Sequence, residues 1–535
     1  MAWRGWCSMV AITALAGCPG DDAGGTSEAD STSTSTGSTD DGPALTTGEQ
    51  TSTTTTATGS TTTDATGSSS SDGASGDETD TLGCVPGTED CECAGGACDP
   101  GLACVDDQCV SPVCGDGVAQ GPEACDDGNM APGDGCSEMC EAEVPAQVEV
   151  GLWHSCVVFS TGSVRCWGRH EGERLGNGAT EPIGDDEPAG ASALVSLGGE
   201  ATQVSIGAAH SCAVLESGAV RCWGSGASGR LGYGDTDDVA LPSDAGDVPL
   251  GGAAVQVSAG EDHTCVVLDT GAVRCWGAGG SGRLGYGNFD TIGDDEDPST
   301  AGDVDLGGTA VQVVAASSFT CALLDDGAVR CWGSGPGTGY GTGLIIGDDE
   351  TPASVGDVPM GGSVDQIAGA GGNGGGRICA LMSTGSVRCW GSSAFSPLGY
   401  GDYNDIGLLD TPADAGDIDL GGTAVEVAVG PFHQCARLDS GSMRCWGLGS
   451  RGRLGYANTD DVGGFGLLPA GAGDIDVGAD VLAISARGGA GTCALVVGDA
   501  VRCWGGDTFG AHGYGFTGDI GDNETPSTVG DLPVF

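Results

Sequence analysis

The chain has 535 residues and a formal net charge of −59, from 76 acidic and 17 basic residues. A surface this acidic repels nucleic acid and anionic lipid, which excludes nucleic-acid recognition as a function class. The 26 cysteines place the chain where thiols oxidise.

The amino-terminal end carries Arg4 and a short apolar stretch from Met9 to Leu15. That stretch is too short to span a bilayer and has signal-peptide form. Leu15-Ala16-Gly17-Cys18 resembles the bacterial lipobox. The resemblance implies that residues 1–17 are a lipoprotein signal peptide and that Cys18 becomes the lipidated first residue. The alternative is an ordinary signal peptide with an incidental cysteine. Residues 18–82 are nearly all Ser, Thr, Gly, Asp, Ala and Glu. They lack the apolar content to fold and read as a disordered tether with a reach on the order of 45 Å.

Residues 83–145 read as a small disulfide-rich region. Cys84, Cys91, Cys93, Cys98, Cys104 and Cys109 form one group, and Cys114, Cys125, Cys136 and Cys140 a second. Even counts in an exported chain favour disulfides, and the connectivity stays open. The stretch from Cys114-Gly-Asp-Gly through Cys125-Asp-Asp-Gly-Asn to Cys136-Ser-Glu-Met-Cys140 resembles a short cysteine-rich repeat common in myxobacterial surface proteins, whose function is itself poorly defined.

Residues 146–535 hold a repeat. Arg-Cys-Trp-Gly recurs with cysteines at Cys166, Cys222, Cys275, Cys331, Cys389, Cys445 and Cys503. Each has a cysteine ten residues upstream: Cys156, Cys212, Cys265, Cys321, Cys379, Cys435 and Cys493. The upstream set recurs every 53 to 58 residues. A period of that size is one supersecondary unit repeated, and three or four short strands per unit fit a propeller blade.

The second copy shows the local geometry. If Cys212 faces Cys222 in an antiparallel hairpin, Val214 faces Val220 and Leu215 faces Ala219. Glu216-Ser217-Gly218 then form a three-residue loop, which ends in a left-handed residue. Glycine takes that position in six copies and Asp499 takes it in the last. The cysteines form a non-hydrogen-bonded pair with Cα atoms about 4.5 Å apart, within disulfide range. Seven hairpin-stapling disulfides follow. Zinc would need four ligands, and no copy supplies them.

The tryptophan after each second cysteine points to the opposite sheet face. Trp167, Trp223, Trp276, Trp332, Trp390, Trp446 and Trp504 therefore read as inter-blade core rather than a ligand cage. His154, His210, His263 and His433 precede the first cysteine and read as structural hydrogen-bonding residues, with Phe319, Ile378 and Thr492 in their place in other copies. Acidic turns recur at Ile183–Glu187, Ile292–Glu296, Ile346–Glu350 and Ile520–Glu524, and at Gly302–Asp305, Gly416–Asp419 and Gly473–Asp476. They offer hard oxygens of the kind calcium takes, but read as solvated turns.

The order Val-x-Val-x-x-Gly-x-x-His-Ser/Thr-Cys through Cys-Trp-Gly-x-Gly-x-x-Gly-x-Leu-Gly matches best at Val204 to Gly232 and Val257 to Gly285. It resembles the regulator of chromosome condensation repeat. The resemblance implies an all-β fold: a seven-bladed β-propeller with one disulfide-stapled hairpin per blade. It also brings to mind the eukaryotic founder's nucleosome binding and guanine-nucleotide exchange. Neither is carried over. Residues 146–535 hold 16 Arg, no Lys and 50 acidic residues, the opposite of what phosphate binding needs. No repeat interval leaves room for the founder's exchange wedge.

The reading is a non-enzymatic, lipid-anchored protein of the cell envelope, monomeric, whose propeller binds a protein or glycan. No catalytic, cofactor or metal residues are assigned. The membrane contact is the N-terminal lipid alone. The alternatives are an extracellular hydrolase or lyase acting on polysaccharide, and a structural envelope protein. Ring closure is expected from Val148–Val150 pairing with Leu532–Phe535.

Overall fold

The computed structural model describes residues 123–535 except 372–375 and 490, together with 102–105, 108–110, 114, 115, 117 and 119. The signal peptide, Cys18, the tether and Cys84 to Cys98 lie outside the described residues. The described residues cover the cysteine-rich region in part and the propeller almost throughout.

Seven three-stranded antiparallel sheets make the propeller. Their first strands are Pro145–Val150, Ala201–Ile206, Ala254–Ala259, Ala310–Ala315, Val364–Ala370, Ala424–Val429 and Val481–Ser485. Each lies beside the first strands of both flanking blades, and the seventh returns to the first. These strands therefore line the axis. The middle strands are His154–Phe159, His210–Leu215, His263–Leu268, Phe319–Leu324, Arg377–Met382, His433–Leu438 and Gly491–Val496. The third strands carry Arg-Cys-Trp-Gly. A fourth, irregular segment closes each blade on the outside, where Val248 N donates to Val220 O at 2.8 Å.

The hairpin geometry follows the sequence. Cys212 faces Cys222 and Val214 faces Val220, and Leu215 N donates to Ala219 O at 2.8 Å. Gly218 has φ +78°, and Asp499 has φ +60°. All seven hairpin disulfides are present, with Cα separations of 4.0 to 4.1 Å. In the cysteine-rich region Cys114 pairs with Cys140 and Cys125 with Cys136. This resolves the connectivity of that group of four. Cys104 faces Cys109 across a short hairpin, and both are disulfide-bonded.

Blades are tied to each other by side-chain systems that recur around the ring. Each of the seven tryptophans is fully buried. Trp276 Nε1 donates to Arg230 O of the preceding blade at 2.9 Å, and the indole lies so close to Gly232 that a Cβ there would sit 2.7 Å from Nε1. That contact explains the glycine of Leu-Gly-Tyr. Each first strand has a bulge at its start, such as that between Ala201 and Gln203, and in five of them it turns a glutamine toward the next blade. Gln203 Oε1 accepts from Val257 N at 2.9 Å and its Nε2 donates to Val257 O at 3.3 Å. Gln147, Gln256, Gln312 and Gln366 repeat the clamp. The Arg of each Arg-Cys-Trp-Gly donates to a carbonyl in the outer segment of the preceding blade, as Arg274 does to Leu250. In six blades it also pairs with an aspartate of its own outer segment, as Arg274 does with Asp303 at 2.7 Å, whereas Arg165 donates to Gly190 O at 3.0 Å.

The ring closes differently from the expected strand pairing. Leu532 N donates to Val501 O at 2.8 Å, so the carboxyl-terminal segment is the outer edge of its own blade. Val148–Val150 belongs to an inner strand at the opposite radius, and the two cannot pair. Their side chains share an apolar cluster instead. Closure uses the repeated arginine link: Arg165 Nη1 donates to Val534 O at 2.6 Å.

Candidate binding face of the propeller

One end of the ring carries the turns that join first to middle strands and the loops that follow the third strands. Eight arginines lie at this end: Arg169, Arg174, Arg230, Arg283, Arg377, Arg451, Arg453 and Arg487. Here the axis opens into a pocket of about 620 Å³, part of it open to solvent, lined by Leu152, Ile206, Ala259, Phe432 and Arg487 among others. Arg487 stands where the corresponding turn has Gly151, Gly207, Gly260 or Gly430. Its side chain crosses the axis. It donates to Ser205 Oγ at 2.8 Å, Ser258 Oγ at 3.1 Å, and to Ala259 O and Ala315 O, each at 3.0 Å. Behind it Glu149 accepts from Ser485 Oγ at 3.0 Å. Burial raises the Glu149 carboxyl above its ordinary range, while the Arg487 charge pulls it back. Sequence reasoning missed this pair. The signal was an arginine at a position the other repeats fill with glycine or alanine.

The repeat histidines are structural. His154, His210, His263 and His433 each place Nε2 within 2.7 to 2.8 Å of a Ser or Thr hydroxyl in the next blade. Thr264 passes the bond on to Arg230 O. Burial lowers His154 and His263 to about 3, so both are neutral at physiological pH. Of the substitutions expected in the other copies, Phe319 holds and the other two need correcting. Strand register puts Phe319, Arg377 and Gly491 at the histidine position. Ile378 and Thr492 stand one residue later, where the side chain points to the other sheet face. In the last blade His512 comes from a loop to fill the space, its Nε2 2.8 Å from where a Cβ of Gly491 would be.

The second set of acidic turns is committed to ion pairs. Asp303, Asp417 and Asp474 bind Arg274, Arg388 and Arg444 at 2.7, 2.6 and 2.8 Å. The first set lies on the binding end. Each follows a residue bridged to the last glycine of a third strand: Ile183, Ile292, Ile346 and Ile520. Carboxylates of Asp185–Glu187, Asp294–Glu296 and Asp348–Glu350 lie within 4.8 Å of one another, and the Asp186 side chain holds Glu187 above the usual carboxylate range.

Three blades break that pattern, the first through Val239, which makes the bridge and is followed by Ala240-Leu241-Pro242. Ile406 and Val462 make the same bridge, but Gly407-Leu408-Leu409 and Gly463-Gly464-Phe465 follow them. Leu409 is 95% exposed and Phe465 82% exposed. Acidic turns have become apolar ones.

The solved structure of human WBSCR16 has a similar fold, at TM-score 0.53 and 19% identity, covering 66% of this chain and 91% of that one. Models of the "Regulator of chromosome condensation (RCC1) repeat" match residues 146–171, 201–230, 254–283 and 310–338, and a second such model matches 217–267. Four of the seven blades therefore carry sequence that matches the RCC1 repeat. A "Domain of unknown function (DUF4215)" model matches residues 97–141, ahead of it. The chain is 29% identical over 325 residues to the ultraviolet-B receptor UVR8 of Arabidopsis thaliana, spanning 59% of this chain and 67% of the receptor. It is 33% identical over 192 residues to the human E3 ubiquitin-protein ligase HERC2, where it spans 4% of that protein's length.

Proposed function

We propose that this chain is a non-enzymatic binding protein, exported and held at the cell envelope by a lipid on Cys18, whose RCC1-repeat propeller engages a protein partner. The repeat match supports a protein-binding propeller. One observation carries the choice of face: two neighbouring blades expose leucine and phenylalanine where four of the other blades carry acidic turns. Exposed apolar patches rimmed by polar residues mark interaction sites. The buried histidines and most of the charged groups near the axis are committed to holding blades together, which fits a scaffold better than a catalyst. The disulfides and the Leu15-Ala16-Gly17-Cys18 sequence support export.

The test uses the full chain in its source cells. Fractionation is expected to place the protein in the envelope, and Cys18→Ser to release it from membranes. Affinity capture from envelope extracts is expected to retain a protein that the double variant Leu409→Asp/Phe465→Asp loses. Recovery of the wild-type protein in the cytoplasm would refute export. A wild-type chain that retains nothing would refute the binding role.

A further inference from the structure

The apolar substitutions in blades 5 and 6 extend into one surface. Tyr403 in the blade 5 loop packs on Phe465 of blade 6, with ring centroids 5.5 Å apart. A Cβ at Gly401 would meet Leu468 Cδ2 at 3.3 Å, so the two loops touch along their length. On the other side Gly341 N donates to Gly407 O at 3.0 Å, and a Cβ at Gly343 would lie 3.6 Å from Leu408 Cδ2. That junction adds Leu344, 63% exposed, and the exposed Ile345. Three consecutive loops thus present an apolar strip across blades 4, 5 and 6.

The strip has an acidic border. Asp402, Asp405 and Asp410 come from the blade 5 loops and Asp460 and Asp461 from blade 6. Tyr403 Oη donates to Asp461 Oδ2 at 3.2 Å, which ties the border to the aromatic centre. Asp348, Asp349 and Glu350 follow Leu344 and Ile345 after the buried Ile346 and Gly347. A second copy of this chain would bring two such borders together, and each propeller carries 50 acidic residues against 16 arginines. An anionic bilayer meets the same repulsion.

We infer that this strip is the docking site for a cationic amphipathic segment of the partner: apolar side chains on one face, flanked by Lys and Arg. The inference rests on the binding role proposed above and names the chemistry of what binds. The apolar centre provides area removed from water. The acidic border provides attraction and rejects acidic competitors.

The experiment is fluorescence anisotropy with the purified full chain, disulfides intact, and three labelled peptides of 18 residues. One alternates Leu and Lys at helical spacing, one replaces every Lys by Glu, and one keeps the Lys but replaces every Leu by Ser. The variants are Leu408→Asp/Leu409→Asp, which restores the acidic turn of the other blades, and Phe465→Asp. These loops are exposed, and unchanged thermal unfolding verifies each fold. The Leu/Lys peptide is expected to bind the wild-type chain, more weakly in high salt, and to lose at least about tenfold in affinity to either variant. The prediction has a built-in discriminator: both variants add negative charge, so attraction by charge alone would tighten binding. Equal or tighter binding to the variants overturns the proposal, as does equal binding of the Leu/Glu peptide. Strong binding of zwitterionic phosphatidylcholine vesicles, or a wild-type dimer that the variants dissociate, assigns the strip to a lipid surface or a second copy and also overturns it. If no peptide binds while envelope capture still depends on Leu409 and Phe465, the cationic partner is wrong and the binding role stands.

Discussion

His263 shows how one residue serves the ring and what it costs. Its ring is buried and neutral, held near a pKa of about 3 against an ordinary 6.5, chiefly by burial. The unfolded chain takes up a proton as pH falls below about 6.5, while the folded chain does not until about 3. Stability present above that window is therefore lost progressively as pH falls through it, by about 1.4 kcal/mol per pH unit for each such group. His154 has the same value, and His210, His433 and His512 are lowered in the same direction. The ring should be markedly acid-sensitive. Phe319 occupies the same register position in blade 4, so His263→Phe fits the site. It is expected to cost about 1 kcal/mol at pH 7.5 through the lost bond to Thr320. It should also recover about 2–3 kcal/mol of relative stability by pH 4.5. Denaturant unfolding at the two pH values measures both, and an unchanged acid slope would falsify the assignment.

At the level of the element, the first strands are clamped to their neighbours at five junctions by glutamine. At the sixth Glu426 takes over. It accepts from Ile484 N at 3.1 Å and from Arg437 Nε at 2.8 Å. Burial raises its carboxyl above the usual range against those two bonds. The seventh junction has Ala483 at the clamp position, and no side chain there can reach the first blade's backbone. Ser485 still accepts from Val150 N at 3.0 Å, as Ser205 and Ser258 do from Ala259 N and Ala315 N. Ala483→Gln should restore the missing clamp and stabilise the ring by about 1–2 kcal/mol, the net worth of two hydrogen bonds. A rise in melting temperature checks this; no rise would mean that the glutamines position the blades without stabilising them.

The whole molecule depends on its last few residues. Leu532 and Val534 are buried, Phe535 packs on Phe159 with centroids 5.1 Å apart, and Val534 O receives Arg165. Removing residues 532–535 should open the seam between the last and first blades and cost about 3–6 kcal/mol from the two aliphatic side chains alone. Thermal unfolding of the truncated chain measures this. The disulfides cannot compensate, because each staples a hairpin within one blade and none crosses the seam among the described residues.

The seven Cys-to-Cys hairpins, the left-handed residue at their loops and the buried tryptophans were legible in the sequence, since each rests on contacts within one repeat or on a position recurring in every repeat. Strand alternation and turn chemistry act over a few residues, so spacing alone determines them. The axial crossing by Arg487, the return of His512 to the space above Gly491 and the route of ring closure were decided by tertiary structure. Arg487 and the closing segment join blades far apart in sequence, while His512 returns from a loop of the same blade as Gly491, and none of these is set by a pattern that recurs in every repeat. The apolar strip lies between these cases. Leu408, Leu409 and Phe465 were visible as departures from an acidic turn, but only the ring brings their loops beside Leu344 and Tyr403, because neighbouring blades in a closed propeller present equivalent loops on one face.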